Sequence, residues 1–130
     1  MLTIGSYATK TTVLSLLLFF QLHSAKDKVT TLHGAITDSQ CAYNVHSDAH
    51  SHEWMIKKGV QGAHDDKSCT LHCVRNLGGL YVLILKDKDD VFHLDDQAQA
   101  EAYAGKTVRV TGTLDGKTHT LHIQKIEEEH

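Results

Sequence analysis

Residues 107–126 read TVRVTGTLDGKTHTLHIQKI, and this stretch sets the fold class. From Thr107 to Leu114 polar residues alternate with β-branched or apolar ones, the period of a half-buried strand. Asp115-Gly116 is a tight-turn signal, and His119 to Ile126 returns as a second strand, giving a hairpin. Upstream, Ala98, Ala100, Ala102 and Ala104 favour a short helix through Tyr103, with Asp95 or Asp96 as its cap and Gly105 placed to end it. Before that, Leu80 to Lys86 (LYVLILK) is apolar on both faces, as in a buried central strand. The charged turn Asp87-Lys88-Asp89-Asp90 then leads into Val91 to Leu94. Val29 to Asp38 (VTTLHGAITD) alternates again and has Gly34 where a curved strand would bend, so it is the first strand.

The resulting order is strand, irregular segment with a helix, two strands, helix, two strands. That is the order of an OB-fold. The expectation is a mainly β domain, a five-stranded OB-fold-like barrel with α elements, carrying a Cys/His-rich helical insertion at about 41–78 between strands 1 and 2. Barrel closure would manage sheet edges that an open sheet exposes. An open α+β meander is the alternative, because closure depends on long-range pairing that periodicity does not report.

The start of the chain reads as a signal peptide. Lys10 is the one charged residue in Met1 to Thr12, and the apolar run Val13 to Phe20 follows at once, interrupted only by Ser15. Small residues after Gln21 would allow cleavage after Ser24 or Ala25. The run is far short of the roughly 20 apolar residues of a membrane-spanning helix, so no stable membrane insertion is expected after cleavage. The alternative is an uncleaved anchor. The expected organisation is therefore a leader over residues 1–25 and a single domain over 26–130, exported to the periplasm or secreted.

Composition narrows the function. The formal charge is −3 with histidine neutral, and loss of Lys10 makes the remaining domain more acidic. A phosphate-binding surface needs the opposite sign, so no nucleic-acid partner is expected. The chain has no proline and 11 histidines, which would add positive charge as pH falls through the usual imidazole range near 6.5.

Chemistry concentrates between Cys41 and Cys73. This segment holds all three cysteines, the histidines His46, His50, His52, His64 and His72, and the tryptophan Trp54. Ser68 to Val74 should be helical, capped by Asp66 or Ser68, so the four-residue spacing puts Cys69 and Cys73 on one face. Cys41 ends the first strand and could approach that face, with His52 or a neighbour supplying nitrogen. Three thiolates and an imidazole form a tetrahedral zinc set, whereas the Met55 thioether would shift preference toward copper(I). Zinc and copper both stay open at this stage. So does a disulfide, since three cysteines in an oxidising compartment can give one bridge and one spare thiol.

Other features have plainer readings. His33, His93, His119 and His122 fall on strands, where solvent-facing polar positions are expected. The tract SDAHSH, with His46 outside it to the amino-terminal side, is either a metal-binding tract or a solvated loop. Trp54 and Met55 are expected to cover the barrel. Asp38 is expected to accept turn hydrogen bonds, because no Gly-x-Ser-x-Gly elbow accompanies Asp38-Ser39.

Taken together, Gly34-x-Ile36-x-Asp38-Ser39-x-Cys41, His52-x-x-Met55, Cys69-Thr70-x-x-Cys73-Val74, Tyr81-Val82-Leu83 and Ala104-Gly105-Lys106-x-Val108-x-Val110-Thr111-Gly112-Thr113-Leu114 resemble a family of small exported bacterial proteins catalogued as a domain of unknown function. The resemblance implies an exported OB-like domain and makes Cys41, His52, Met55, Cys69 and Cys73 the positions matching the family's motif. It implies no activity. This chain departs by a longer, histidine-richer spacer between Cys41 and His52 and by Ala42 where the family usually has glycine.

Three function classes follow. The first is a metal-binding module using Cys41, His52, Met55, Cys69 and Cys73 with zinc or copper, and no catalytic residues. The second is a disulfide-stabilised extracytoplasmic binding or structural domain without metal. The third is a thiol enzyme using Cys41 or Cys69 beside a histidine, for which no motif specifies a reaction.

Overall fold

Residues 28–43, 52–85 and 90–130 are described in the computed structural model, apart from the side chains of His52 and Gln61. The leader over 1–25, His46, His50 and Asp87-Lys88-Asp89 of the charged turn lie outside the described residues. No described helix is long and apolar enough to cross a membrane.

Strand β1 runs Val29–Asp38, and its second half alternates strictly, with Gly34, Ile36 and Asp38 buried. After the helical insertion come β2 (Tyr81–Leu85) and β3 (Val91–Leu94), a short helix α4 (Gln97–Glu101), then β4 (Thr107–Asp115) and β5 (Thr120–Glu128). The strands close into a barrel in the order β1-β2-β3-β5-β4. Strand β1 pairs antiparallel with β2 through Gly34 to Asp38 and with β4 through Val29 to Ala35. Strands β3 and β5 pair in parallel, His93 opposite Thr120 and Leu94 opposite Leu121. This is the expected five-stranded OB-like barrel, closed where the meander would have been open. Because β1 serves two neighbours along its length, it has to bend at the shared segment. Gly34 is the residue there, and a Cβ on it would overlap the Ile84 carbonyl oxygen.

Inward-facing residues fill the barrel: Ile36, Tyr81, Leu83, Phe92, Leu94, Val108, Val110, Leu121 and Ile126, with Ala100 and Ala104 from the α4 region plugging it. The run expected to be apolar on both faces is buried on both, since Tyr81, Val82 and Leu83 are each 3 % exposed or less. Helix α4 is tied to the strands by Gln97. Its Oε1 accepts from the Tyr81 N–H at 2.8 Å, and its Nε2 donates to the carbonyls of Tyr81 and Leu94 at 2.9 and 3.0 Å.

Several local expectations change. The helix expected at Ser68 to Val74 is the longer α3, Asp66–Leu77. Its cap is Asp65, which accepts from the Ser68 N–H while Ser68 bonds back, a capping box that was missed because Asp66 is equally acceptable by residue type. Helix α4 stops at Glu101 rather than Tyr103, and the chain tightens through Ala102 to Gly105 by hydrogen bonds from Tyr103 to Ala100 and from Ala104 to Glu101. The tight turn signalled by Asp115-Gly116 is present, shifted by one residue. Residues 116–119 form the connection, Asp115 accepts from the Lys117 N–H at 2.8 Å, and the left-handed position falls on His119 at φ 56°. His119 therefore sits in the turn, not on a strand, and stacks on Phe92 with ring centroids 4.5 Å apart. His33 and His122 do lie on strands and face outward, paired with Glu129 and Asp95 at 2.9 and 3.0 Å.

Candidate metal centre

The insertion begins with a change of geometry at Asp38. Strand β1 ends there, and Ser39–Ala42 forms a single helical turn, α1, so Cys41 belongs to a helix rather than to the end of the strand. Asp38 caps that turn through Oδ1, which accepts from the Cys41 N–H at 2.9 Å. The expected turn-bonding role of Asp38 is thus present. Ser39 and Gln40 clip α1 to the end of α3 and to the residue before β2: the Ser39 N–H donates to the Leu80 carbonyl at 2.8 Å, the Leu80 N–H to Ser39 Oγ at 3.0 Å, and Gln40 Nε2 to the Leu77 carbonyl at 2.6 Å.

Helix α2 (His52–Lys58) and a 3-10 turn (Val60–Gly62) lead to α3. Cys69 and Cys73 lie one helical turn apart on the buried face of α3, beside Thr70, and all three are fully buried. At the far end of α3 the Cys73 carbonyl accepts from the backbone N–H groups of Gly78 and Gly79, which ends the helix and turns the chain into β2.

These connections bring Cys41 to the face formed by Cys69 and Cys73. The three Sγ atoms lie within 4.8 Å of one another, and all three cysteines are free. A tetrahedral centre with metal–sulfur bonds of about 2.3 Å holds its sulfurs roughly 3.8 Å apart, so a modest side-chain adjustment would bring them onto one ion. Among the described residues this is the one group of three such ligand atoms so close together.

The surroundings are apolar. Met55 and Ala63 are buried with Cys69 and Cys73 in a cluster separate from the barrel core, and Cys41, Trp54, Ile56 and Val60 pack against it. Trp54 and Met55 therefore cover the cysteines, not the barrel as expected. Their position follows from α2 packing on α3 outside the strands, a long-range contact that hydrophobicity alone does not indicate. His52 starts α2, but its side chain lies outside the described ones. His64 is exposed and bonds the Gly62 carbonyl at 2.7 Å, while His72 Nδ1 meets Asn76 at 3.1 Å. Neither joins the cysteine group.

Electrostatically the site holds neutral thiols when empty of cations. Burial pushes the Cys73 thiol up to about 12, helped by the Asp38 charge and by Cys69. Cys69 and Cys41 are raised too, first by burial and then by Asp38. A bound cation reverses this balance, because a coordinating thiol gives up its proton. The burial of Asp38 next to Cys41 is the feature the sequence reading did not anticipate. The alternation of Asp38 with Gly34 and Ile36 was the available signal, since it puts a carboxylate on the inward side of β1.

Residues 74–129 match the family described as protein of unknown function (DUF5818). The match starts one residue after Cys73, so it spans β2 to β5 and includes none of the three cysteines. No curated protein and no solved structure matches the chain.

Proposed function

We propose that this protein is an exported metal-binding module whose ion is held by the thiolates of Cys41, Cys69 and Cys73. The observation that carries the reading is the convergence of three Sγ atoms within 4.8 Å, from two helices far apart in sequence, at an apolar cluster. Thiolates select soft or borderline cations, which means zinc or copper. Met55 from the same cluster and His52 at the start of α2 are the candidates for a further donor. The apolar run at Val13 to Phe20 supports export to the periplasm or beyond.

A nucleophilic role for Cys41 or Cys69 has less support. A reactive thiolate needs a positive neighbour, and here burial and Asp38 both favour the thiol. A disulfide between Cys41 and either α3 cysteine is the second reading, for which the sulfurs, free here, would have to close to bonding distance. It would tie α1 to α3 across a loop of about 30 residues, a closure worth roughly 3 kcal/mol or more in the chain-entropy view.

Elemental analysis with native and denatured mass spectrometry tests both readings on protein purified without chelator. The metal reading expects one ion per chain and three alkylatable thiols without reduction. One alkylatable thiol and no metal would replace it with the disulfide reading.

A further inference from the structure

The metal reading leaves half of Asp38 unexplained. Its carboxylate is fully buried. Oδ1 is used as the α1 cap and the carboxylate faces the Cys41 thiol, but Oδ2 is enclosed and has no hydrogen-bond partner among the described residues. Among the described residues no lysine, arginine or histidine forms an ion pair with it. A buried carboxylate oxygen in that condition is strongly unfavourable, and such groups persist where a cation answers them. The cap bond fixes the carboxylate beside Cys41; it is not among the ligand atoms that lie within 4.8 Å of one another, so Oδ2 would have to turn toward the sulfurs to complete a shell around one ion.

We propose that Asp38 belongs to the centre and supplies, through Oδ2, the oxygen ligand of a Cys3Asp donor set for a zinc-type divalent cation. The proposal rests on the metal reading above. Zinc accepts carboxylate oxygen beside thiolate sulfur in a tetrahedral shell. Copper(I) takes thiolate and thioether and has no use for the carboxylate. Charge points the same way. Three thiolates and one carboxylate carry four negative charges, of which a divalent ion leaves two uncompensated and a monovalent ion three, and in an apolar cluster each uncompensated charge is costly. The cap explains the geometry: the bond from the Cys41 N–H fixes Oδ1, which leaves Oδ2 as the free arm of a carboxylate already held beside Cys41. Met55 is then an apolar cover for the cluster and not a donor.

The experiment compares zinc(II) affinity, by competition with a chromophoric chelator, and copper(I) affinity under anaerobic conditions. It uses the full chain and its Asp38→Asn and Asp38→Ser variants. Both replacements keep an oxygen that can cap the Cys41 N–H, and neither carries charge. The expected result is zinc(II) binding weakened about 10- to 100-fold or more, with copper(I) binding changed by less than about threefold. Cadmium NMR on the unmutated protein gives a second measure that does not depend on a variant folding, and a three-sulfur, one-oxygen environment is expected. Unchanged zinc(II) affinity in both variants, while Cys69→Ser abolishes it, would remove Asp38 and leave the metal reading standing. A cadmium shift without oxygen would do the same. An unmutated protein that binds neither ion would overturn both.

Discussion

Gly105 is packed so closely against the first turn of α3 that a Cβ on it would overlap the Lys67 backbone nitrogen. Its own N–H donates to the Ile36 carbonyl at 2.9 Å, and it adopts φ 75°. This contact seats the amino-terminal end of the cysteine-bearing helix on the barrel. Gly105→Ala combines left-handed strain with a backbone overlap, and a loss of at least ~2 kcal/mol is expected. Gly116→Ala is the control, since nothing lies within 4 Å of its Cβ position. Urea unfolding of the two variants checks this, and equal midpoints would show that α3 is not seated through Gly105.

Alkaline pH should unfold the metal-free protein. The thiols ionise near 9.0 when exposed, whereas burial pushes Cys73 up to about 12 and raises Cys69 and Cys41 in the same direction. A raised folded-state value means that the folded protein holds protons which the unfolded chain releases. The associated stability is therefore complete below pH 9 and declines as pH rises toward 12. Urea midpoints between pH 8 and about pH 11 should fall, and replacing all three cysteines by alanine should flatten the decline. An identical decline in the triple variant would assign it to other groups.

Cys41 and Cys69 should separate metal binding from folding. Cys41 is only half-buried and sits on a turn held by backbone bonds and by Ser39 and Gln40, so Cys41→Ser should lose the ion and keep the fold within about 1 kcal/mol. Cys69 is fully buried. Cys69→Ser leaves a hydroxyl in an apolar cluster and should cost roughly 1–3 kcal/mol as well as the ion. Metal content and thermal unfolding of the two variants are the measurements. Full retention of metal by Cys41→Ser would limit the centre to α3.

Gln97 should matter more than its position on a short helix suggests. Its side chain makes three hydrogen bonds to the Tyr81 and Leu94 backbone. Truncation in Gln97→Ala strands the Tyr81 N–H and the two carbonyls, with an expected cost of about 1–3 kcal/mol. Equilibrium unfolding checks the value, and a change below about 0.5 kcal/mol would mean that water replaces the side chain.

Most of the barrel was legible along the chain. Alternation in VTTLHGAITD and TVRVTGTL and the doubly apolar LYVLILK located the strands, and Asp96 capping at Gln99 gave α4 its start. Errors gathered at element ends. Asp65, Asp66 and Ser68 are all good capping types within four residues, and choosing among them depends on which backbone N–H each side chain reaches. The turn signalled by Asp115-Gly116 is present but lies one residue further on, because Asp115 still pairs with Thr120 and the left-handed position falls on His119.

The centre divided in the same way. The sequence by itself determined that Cys69 and Cys73 share a helix face, because an i, i+4 spacing is a local consequence of 3.6 residues per turn. It also determined that Asp38 would meet a nearby N–H. Only the tertiary structure decided that Cys41 meets the other two sulfurs, that Met55 and Trp54 cover them, and that the second oxygen of Asp38 is buried without a partner among the described residues. Those facts follow from β1 pairing with both β2 and β4 and from α3 being seated on Gly105 at one end and tied to α1 at the other. Contacts between residues tens of positions apart are fixed by barrel closure and packing, and no local period in the sequence encodes them.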